Sequence, residues 1–551
     1  MNSHPIHSVA DAFERSASRL GANPFLCTLP ETAEIYRVPQ GELRYDEARA
    51  RVRALRAAYR AAGYGHGHRV GLMLENRPAF LLHWFALNAL GVSVVPINAD
   101  LRAGELEYLV GHSEIALAVA PPSRHAALRA AAAASGSATL LAADEPEAGT
   151  AFAPAPAALA APRRAQAIDE RSECALLYTS GTTGRPKGCV LQNRYFLRAG
   201  RWYANIGGLA SLGTGRERML TPLPLVHMNA MAYSTMAMVM TGGCLIMLDR
   251  FHPATWWQSV REARATVVHY LGVMPAMLMK APPREDDTRH SVRFGFGAGV
   301  DRSLHAGFER RFGFPLLEAW AMTETGAGAV VIANHEPRLV GTSCFGRERD
   351  DVELRVVADS GAPAGVDEPG ELWVRHAGAD PRDGFFAGYL KDDPATEQAW
   401  ADGWFHTGDI VRRGAEGMLH FIDRRKNVIR RSGENISALE VESELLHHPL
   451  VRAVAVAGVP DPVRGDEVLA CVVSDTVAAD DEARRAAAHA IVRRCLERLA
   501  YYKAPGYVAF IDALPLTASQ KVQRGELRAL AATLPGQPHC IDTRALKKRQ
   551  E

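Results

Sequence analysis

Apolar and polar positions follow two rhythms along the 551-residue chain, and the rhythm changes near residue 350. From about 45 to 120, helix-like and strand-like pieces alternate. Residues 46–62 carry alanine and leucine at helical spacing, 69–74 read as a strand, 79–90 as a helix and 92–96 as a strand. That succession predicts β-α-β units and a largely parallel sheet. Gly65-His66-Gly67-His68 reads as the turn feeding the 69–74 strand rather than as a metal site. Residues 126–168 are rich in Ala and Pro with few strand signals, predicting a helix and then a connection. Alternation resumes around 176 and continues to about 340. Past 350, Val352, Leu354 and Val356 alternate with polar residues and 371–375 repeats the pattern, which predicts antiparallel sheet. After Asp423 a compact unit is predicted, with strands near 452–459, 468–474 and 507–512. Its helix carries Ile491, Val492, Cys495, Leu496 and Leu499 on one face. The main boundary is placed at 424–427, and no internal repeat is evident.

Composition excludes several classes. A net charge of +1 exerts no global pull on nucleic acid or an anionic membrane, so any anion site must be local. The eight cysteines are scattered with no Cys-x-x-Cys pair, which predicts free thiols in a reducing cytoplasm and no zinc site. The most apolar long stretch, 228–248, is broken by Asn229, Ser234, Thr241 and Gly242-Gly243. It reads as a buried helix, a turn and a strand at 245–248, not a membrane span. Met-Asn-Ser-His-Pro at the start is no signal peptide, and Arg549-Gln550-Glu551 is no peroxisomal address. Eight lysines stand against 55 arginines, so each lysine raises the question of whether an ammonium is needed there.

The stretch Tyr178-Thr-Ser-Gly-Thr-Thr-Gly-Arg-Pro-Lys-Gly188 has no large apolar side chain between Thr179 and Lys187. It departs from the Walker A pattern, since Pro186 takes the second glycine's place and Gly188 that of the Ser/Thr. The physical logic is related. Gly181 and Gly184 let backbone N–H groups converge on an anion, the hydroxyls of Thr179, Ser180, Thr182 and Thr183 add donors, and Lys187 supplies a point charge. Alone, the stretch reads as a surface turn before it reads as a phosphate site.

Its full wording resembles the phosphate loop of the adenylate-forming superfamily: acyl-CoA synthetases, peptide-synthetase adenylation domains and beetle luciferases. Further motifs resemble the family's in order. Ala319-Trp320-Ala321-Met322-Thr323-Glu324 resembles the segment whose aromatic ring stacks on adenine, with Thr323 at the α-phosphate and Glu324, together with Thr179, at Mg²⁺. Here Trp stands where Tyr is usual, and Ala321 replaces Gly. Gly297-Ala298-Gly299 falls where relatives bind nucleotide. Asp409, in Trp404-Phe-His-Thr-Gly-Asp409, matches the acceptor for both ribose hydroxyls. Arg424 matches a contact to ribose and phosphates, and Lys426 the hinge. Ser432-Gly433-Glu434 resembles the loop lining a pantetheine tunnel. Tyr502-Lys503-Ala-Pro505 resembles a short motif before the last strand. Lys521 matches the lysine bridging substrate carboxylate and α-phosphate, although Gln520 replaces the usual Gly, as in the crotonobetaine/carnitine-CoA ligase branch.

The resemblance, over about residues 10–530, implies an α/β fold. Residues 1–423 would form a large N-terminal domain of stacked α/β sheets with a β-barrel-like subdomain. Residues 424–427 would be a hinge and 428–551 a small mobile α+β domain. It implies an AMP-forming acyl-CoA synthetase using ATP, Mg²⁺ and coenzyme A, with Lys521, Glu324, Thr323 and Lys187 catalytic. Loading of a carrier-protein phosphopantetheine, a crotonobetaine/carnitine-type ligase, a luciferase-like oxygenase and a non-catalytic nucleotide-binding regulator are the alternatives. By position, His227, Met228, Val273 and Phe296 wall the acyl pocket. No Asp or Glu stands among the wall segments, which disfavours an amino-acid ammonium and points to a neutral aliphatic or aryl acid. The expected partner is that small-molecule acid, with no nucleic acid, no membrane span, a cytoplasmic location and a homodimer left open.

Overall fold

A computed structural model of the chain describes residues 6–144, 155–162, 167–179, 185–424, 428–475, 480–515 and 522–548. The chain divides into two compact units. One comprises Met1–Ala99, Val110–Leu177 and Gly188–Asp423; the other comprises Asp100–Leu109, Tyr178–Lys187 and Arg424–Glu551.

In the first unit the alternating rhythm becomes sheet and helix as expected. Strands Arg69–Leu72 and Ser93–Pro96 run parallel, and the helices Tyr45–Ala61 and Pro78–Asn88 stand where the spacing put them. The helix Pro78–Asn88 is apolar nearly all round and is buried at every position from Phe80 to Asn88, as such a helix must be. These strands belong to a seven-stranded sheet, and a second sheet has eight strands. The second sheet carries a parallel run in which Cys244–Met247, Arg218–Thr221, Val267–Leu271, Phe294–Ala298 and Leu316–Trp320 are successive neighbours. The stretch 126–168, predicted as a helix and then a connection, also contains a strand, Leu140–Ala143, paired parallel with Leu117–Ala120. A sheet edge needs little sequence signal, and the run of alanines hid this one.

The change of rhythm past 350 is an antiparallel sheet of five strands in the order Cys344–Gly346, Leu419–Arg424, Phe405–Arg413, Gly370–His376, Val352–Val357. Leu354 lies opposite Val374 and Val356 opposite Leu372, so the alternating apolar positions share one face.

The second unit is built on a six-stranded sheet. Ala453–Asp461 pairs antiparallel with Gly465–Val473, and Gly465–Val473 pairs parallel with Tyr507–Phe510. The helix Asp481–Arg498 crosses between those parallel strands, started by the Asp480 side chain on the Ala483 N–H, and it buries Ile491, Val492 and Cys495. Among the described residues no helix is long and apolar enough to cross a membrane, and all eight cysteines are free.

Candidate active site

In a parallel sheet, ligands sit outside the carboxyl ends of the strands. Of the residues named from sequence in the first unit, Gly297, Ala298, Ala319 and Trp320 lie at such ends, whereas Asp409 stands on the antiparallel strand Phe405–Arg413. Val267–Leu271 and Phe294–Ala298 run in register, with His269 beside Phe296, Tyr270 beside Gly297 and Leu271 beside Ala298. Just beyond, the backbone closes up: a Cβ on Gly272 would lie 1.6 Å from the carbonyl oxygen of Gly299. Gly299 itself takes φ = +81°, a conformation open to glycine at little cost.

Glu318, on Leu316–Trp320, fixes this turn. Its carboxylate is buried and accepts the N–H groups of Gly299 (3.0 Å) and Val300 (3.1 Å) and the Tyr270 hydroxyl (3.0 Å). Burial raises its pKa, and the two backbone donors oppose that rise. Sequence reasoning passed over Glu318, although a lone carboxylate in Leu-Leu-Glu-Ala-Trp was a legible signal.

After Trp320 the chain does not enter an α-helix. Thr325 and Gly326 both donate backbone N–H groups to the Met322 carbonyl, and a single 3₁₀ turn, Gly326–Gly328, follows. The Thr325 hydroxyl receives the Met322 N–H, and the Tyr195 hydroxyl donates to the Thr323 carbonyl at 2.9 Å. Ala319, Ala321, Met322 and Thr323 are half-buried here. The Glu324 carboxylate accepts from the Tyr389 hydroxyl at 2.9 Å, and its backbone carbonyl receives the Phe386 N–H. Tyr389 and Tyr195 carried no sequence signal.

One contact brings two of the predicted residues together. The Trp320 indole N–H donates to Asp409 Oδ2 at 2.9 Å across 89 residues of sequence, and Asp409 is only 1% exposed. Asp409 is itself set in place locally, its N–H on the Thr407 hydroxyl and that hydroxyl on the Leu372 carbonyl. The tryptophan at this position therefore supplies a donor as well as a ring.

The expected acyl wall is a loop and an unusual helix. Asn76 brackets the loop, donating to the Leu223 and Leu248 carbonyls and accepting the Leu225 N–H. His227 and Met228 follow, half-buried, and then a π-helix, Asn229–Ser234, runs into the α-helix Thr235–Thr241. π-Helical turns recur at functional sites. Phe296 is buried, with its ring 4.8 Å from those of His269 and Tyr203.

In the second unit, Thr179 closes the strand Glu173–Thr179 and Lys187 opens the strand Lys187–Gln192. Tyr108 donates to the Pro186 carbonyl and lies under the Arg185 guanidinium. Ser432 and Gly433 form the two-residue turn of a hairpin, with φ of 52° and 92° and Arg431 facing Glu434. Two positive φ values are what such tight hairpins require, so this turn presents bare backbone at Gly433. Lys503 is buried between Glu105 (2.5 Å) and Glu440 (2.8 Å), and Glu105 also accepts the Ala500 N–H. Burial works against its charge, but the two carboxylates outweigh that and hold its pKa well above the usual lysine value. Ser180, Gly181, Thr182, Thr183, Gly184, Lys426 and Lys521 lie outside the described residues, as do the side chains of Val273 and Arg424.

The family described as AMP-binding enzyme matches residues 13–390, and the AMP-binding enzyme C-terminal domain matches 440–521. A sulfoacetate–CoA ligase of Cupriavidus necator is 33% identical over 475 residues, 85% of this chain and 89% of that protein. A crotonobetaine/carnitine–CoA ligase of Escherichia coli is 30% identical over 487 residues, with the same two shares. Among solved structures, a double mutant of the o-succinylbenzoate CoA synthetase of Bacillus subtilis shares the fold. Its TM-score is 0.77 at 23% identity, covering 94% of this chain and 98% of that one. A malonyl-CoA ligase with methylmalonyl-CoA and AMP bound gives a TM-score of 0.70 at 26% identity, covering 90% and 96%. The chain belongs to the AMP-binding enzyme family. Within it, the chain is an AMP-forming acyl-CoA synthetase, an acid–thiol ligase.

Proposed function

We propose a division of labour among the residues for the two half-reactions of that ligase. A carboxylate is a poor electrophile because its leaving group would be oxide or hydroxide. Attack on the α-phosphate of ATP releases pyrophosphate and makes an acyl-adenylate, whose leaving group is AMP; the CoA thiol then displaces AMP. In this reading the Trp320 ring packs against adenine, with Gly297, Ala298 and Gly299 beside it, and Asp409 accepts from the ribose. Thr179 to Gly184 and Lys187 hold the phosphates, Thr323 meets the α-phosphate and Arg424 supports ribose and phosphate. Lys521 neutralises the charge developing where two anions meet, a contribution on the order of 3–4 kcal/mol for one such donor. Residues 424–427, with Lys426, are the hinge by which the small domain 428–551 turns Lys521 away and brings the Ser432–Glu434 hairpin to the pantetheine arm of CoA.

Glu324 fits a share in Mg²⁺. Its Oε2 has no protein hydrogen bond among the described residues, and a nucleotide-bound Mg²⁺ takes one or two carboxylates, with phosphates and water filling the rest. No group of three ligands gathers among the described residues, as suits a metal carried by its nucleotide. The ion would supply electrostatic neutralisation of the phosphates.

The observation that carries this reading is the Trp320–Asp409 hydrogen bond, which sets the adenine and ribose readers side by side with Glu324 four residues beyond Trp320. The test is CoA-dependent AMP release over aliphatic, aryl and betaine acids, run beside the Lys521→Ala variant. The variant is expected to lose acyl-adenylate formation by roughly 10²–10³-fold while still converting a supplied acyl-adenylate to thioester. Equal loss in both half-reactions would refute this assignment of Lys521.

A further inference from the structure

The open ends of Val267–Leu271 and Phe294–Ala298 close over a short distance. Leu271 and Ala298, the last facing pair, are half-buried, as are Met228 and Asn229 on the neighbouring segment. One row deeper everything is sealed: His269, Tyr203 and Ser234 are 0% exposed and Phe296 is 2%. Two strand residues span about 7 Å, so the sealed row stops an acyl chain after roughly four to six atoms.

The seal is polar, and its hydrogens can be assigned. Among the described residues the Tyr203 hydroxyl has one partner, His269 Nε2 at 3.1 Å; accepting there would leave its own buried hydrogen unpaired, so it donates and Nε2 carries no proton. The ring is neutral, since full burial pushes its pKa down to about 3, and its one proton is therefore on Nδ1. Nδ1 lies 2.7 Å from Asn229 Oδ1 and 2.9 Å from Ser234 Oγ. Ser234 donates its own hydrogen to the Asn229 carbonyl, one π-helical turn back, so both oxygens accept from Nδ1–H. The Asn229 amide is thereby oriented: its oxygen is held by His269, and its NH₂ donates to no protein acceptor among the described residues.

We infer that Asn229, positioned by His269, determines acid specificity, and that it selects short acids bearing a hydrogen-bond-accepting oxygen near the end remote from the reacting carboxylate. This rests on the acyl-pocket reading above. It narrows the neutral aliphatic or aryl expectation, because a long alkyl chain meets the sealed row and an unsubstituted short one leaves two amide hydrogens desolvated without a partner. His269 acts through Asn229 and touches no substrate.

The test is kcat/KM for AMP release with butanoate, 4-hydroxybutanoate, 4-oxopentanoate and octanoate. The acceptor-bearing acids are expected to exceed butanoate by about tenfold, the worth of one neutral hydrogen bond, with octanoate the poorest. Asn229→Asp keeps an oxygen for His269 Nδ1–H but exchanges the outward donor for an acceptor, and should abolish that preference without loss of fold. His269→Gln should raise KM for the acceptor acids more than it lowers kcat, whereas a purely structural role would lower the yield of folded enzyme and leave KM alone. Octanoate turned over as well as the short acids, or an acceptor preference unchanged in Asn229→Asp, overturns the inference while the ligase reading stands. AMP release from no acid at all would overturn both.

Discussion

Replacing Trp320 by Phe keeps an aromatic face where adenine is proposed to lie but removes a donor that reaches Asp409 Oδ2 at 2.9 Å. A hydrogen bond to a carboxylate contributes about 1.5–3 kcal/mol, and Asp409, 1% exposed, has little access to water as a replacement. The loss corresponds to roughly ten- to a hundredfold in nucleotide binding. Stability also falls, because the smaller ring leaves part of a buried site unfilled, and a change in KM for ATP alone would mix the two effects. The ratio of kcat/KM for ATP to that for 2′-deoxy-ATP separates them, since it reports only how well Asp409 reads the ribose. In the native enzyme ATP should be favoured; in Trp320→Phe the preference should shrink by about tenfold, with kcat at saturating ATP changed much less. A ratio unchanged within about twofold, in a variant with intact tryptophan fluorescence, would mean that the indole N–H does not orient Asp409.

Two further outcomes follow from the buried charges. Lys503→Met should leave Glu105 and Glu440 facing each other without a cation, at a cost of about 3–5 kcal/mol; hydrogen exchange at the Ala500 amide, which donates to Glu105, should accelerate accordingly, and unchanged protection there would contradict the argument. Because His269 has a folded pKa of about 3 against about 6.5 when free, acid favours the unfolded chain; the contribution is complete above about pH 6.5 and falls by about 2 kcal/mol between pH 7 and pH 5. Urea unfolding of the first unit, which holds all eight tryptophans, should show that loss and should show less of it in His269→Gln.

Much of the fold was legible because each element announces itself over a few residues. Alternation at Val352, Leu354 and Val356 could only serve a sheet with one apolar face, and the apolar stripe on Asp481–Arg498 could only serve a helix with one buried side. Leu140–Ala143 was not legible, since alanine and leucine favour helix and only a neighbouring strand edge decides otherwise. The π-helix at Asn229–Ser234 leaves no mark on hydrophobic spacing. Trp320 and Asp409 were each named from their motifs, but the bond between them depends on bringing two distant strands together, which no local pattern encodes. Glu318 is the instructive omission: its carboxylate stood in plain view in an apolar strand, and only the geometry of Gly299 and Val300 shows what it does.

The near-contact of Gly272 with Gly299 has a consequence for anyone altering this enzyme. Two backbones meet there, with no room for a side chain on Gly272 to cushion them. Remodelling the acid side to admit bulkier substrates would press directly on the Gly299 peptide and, through its N–H, on Glu318. Acid scope and ATP affinity should therefore trade against each other, and libraries that vary the acid side should leave both glycines alone.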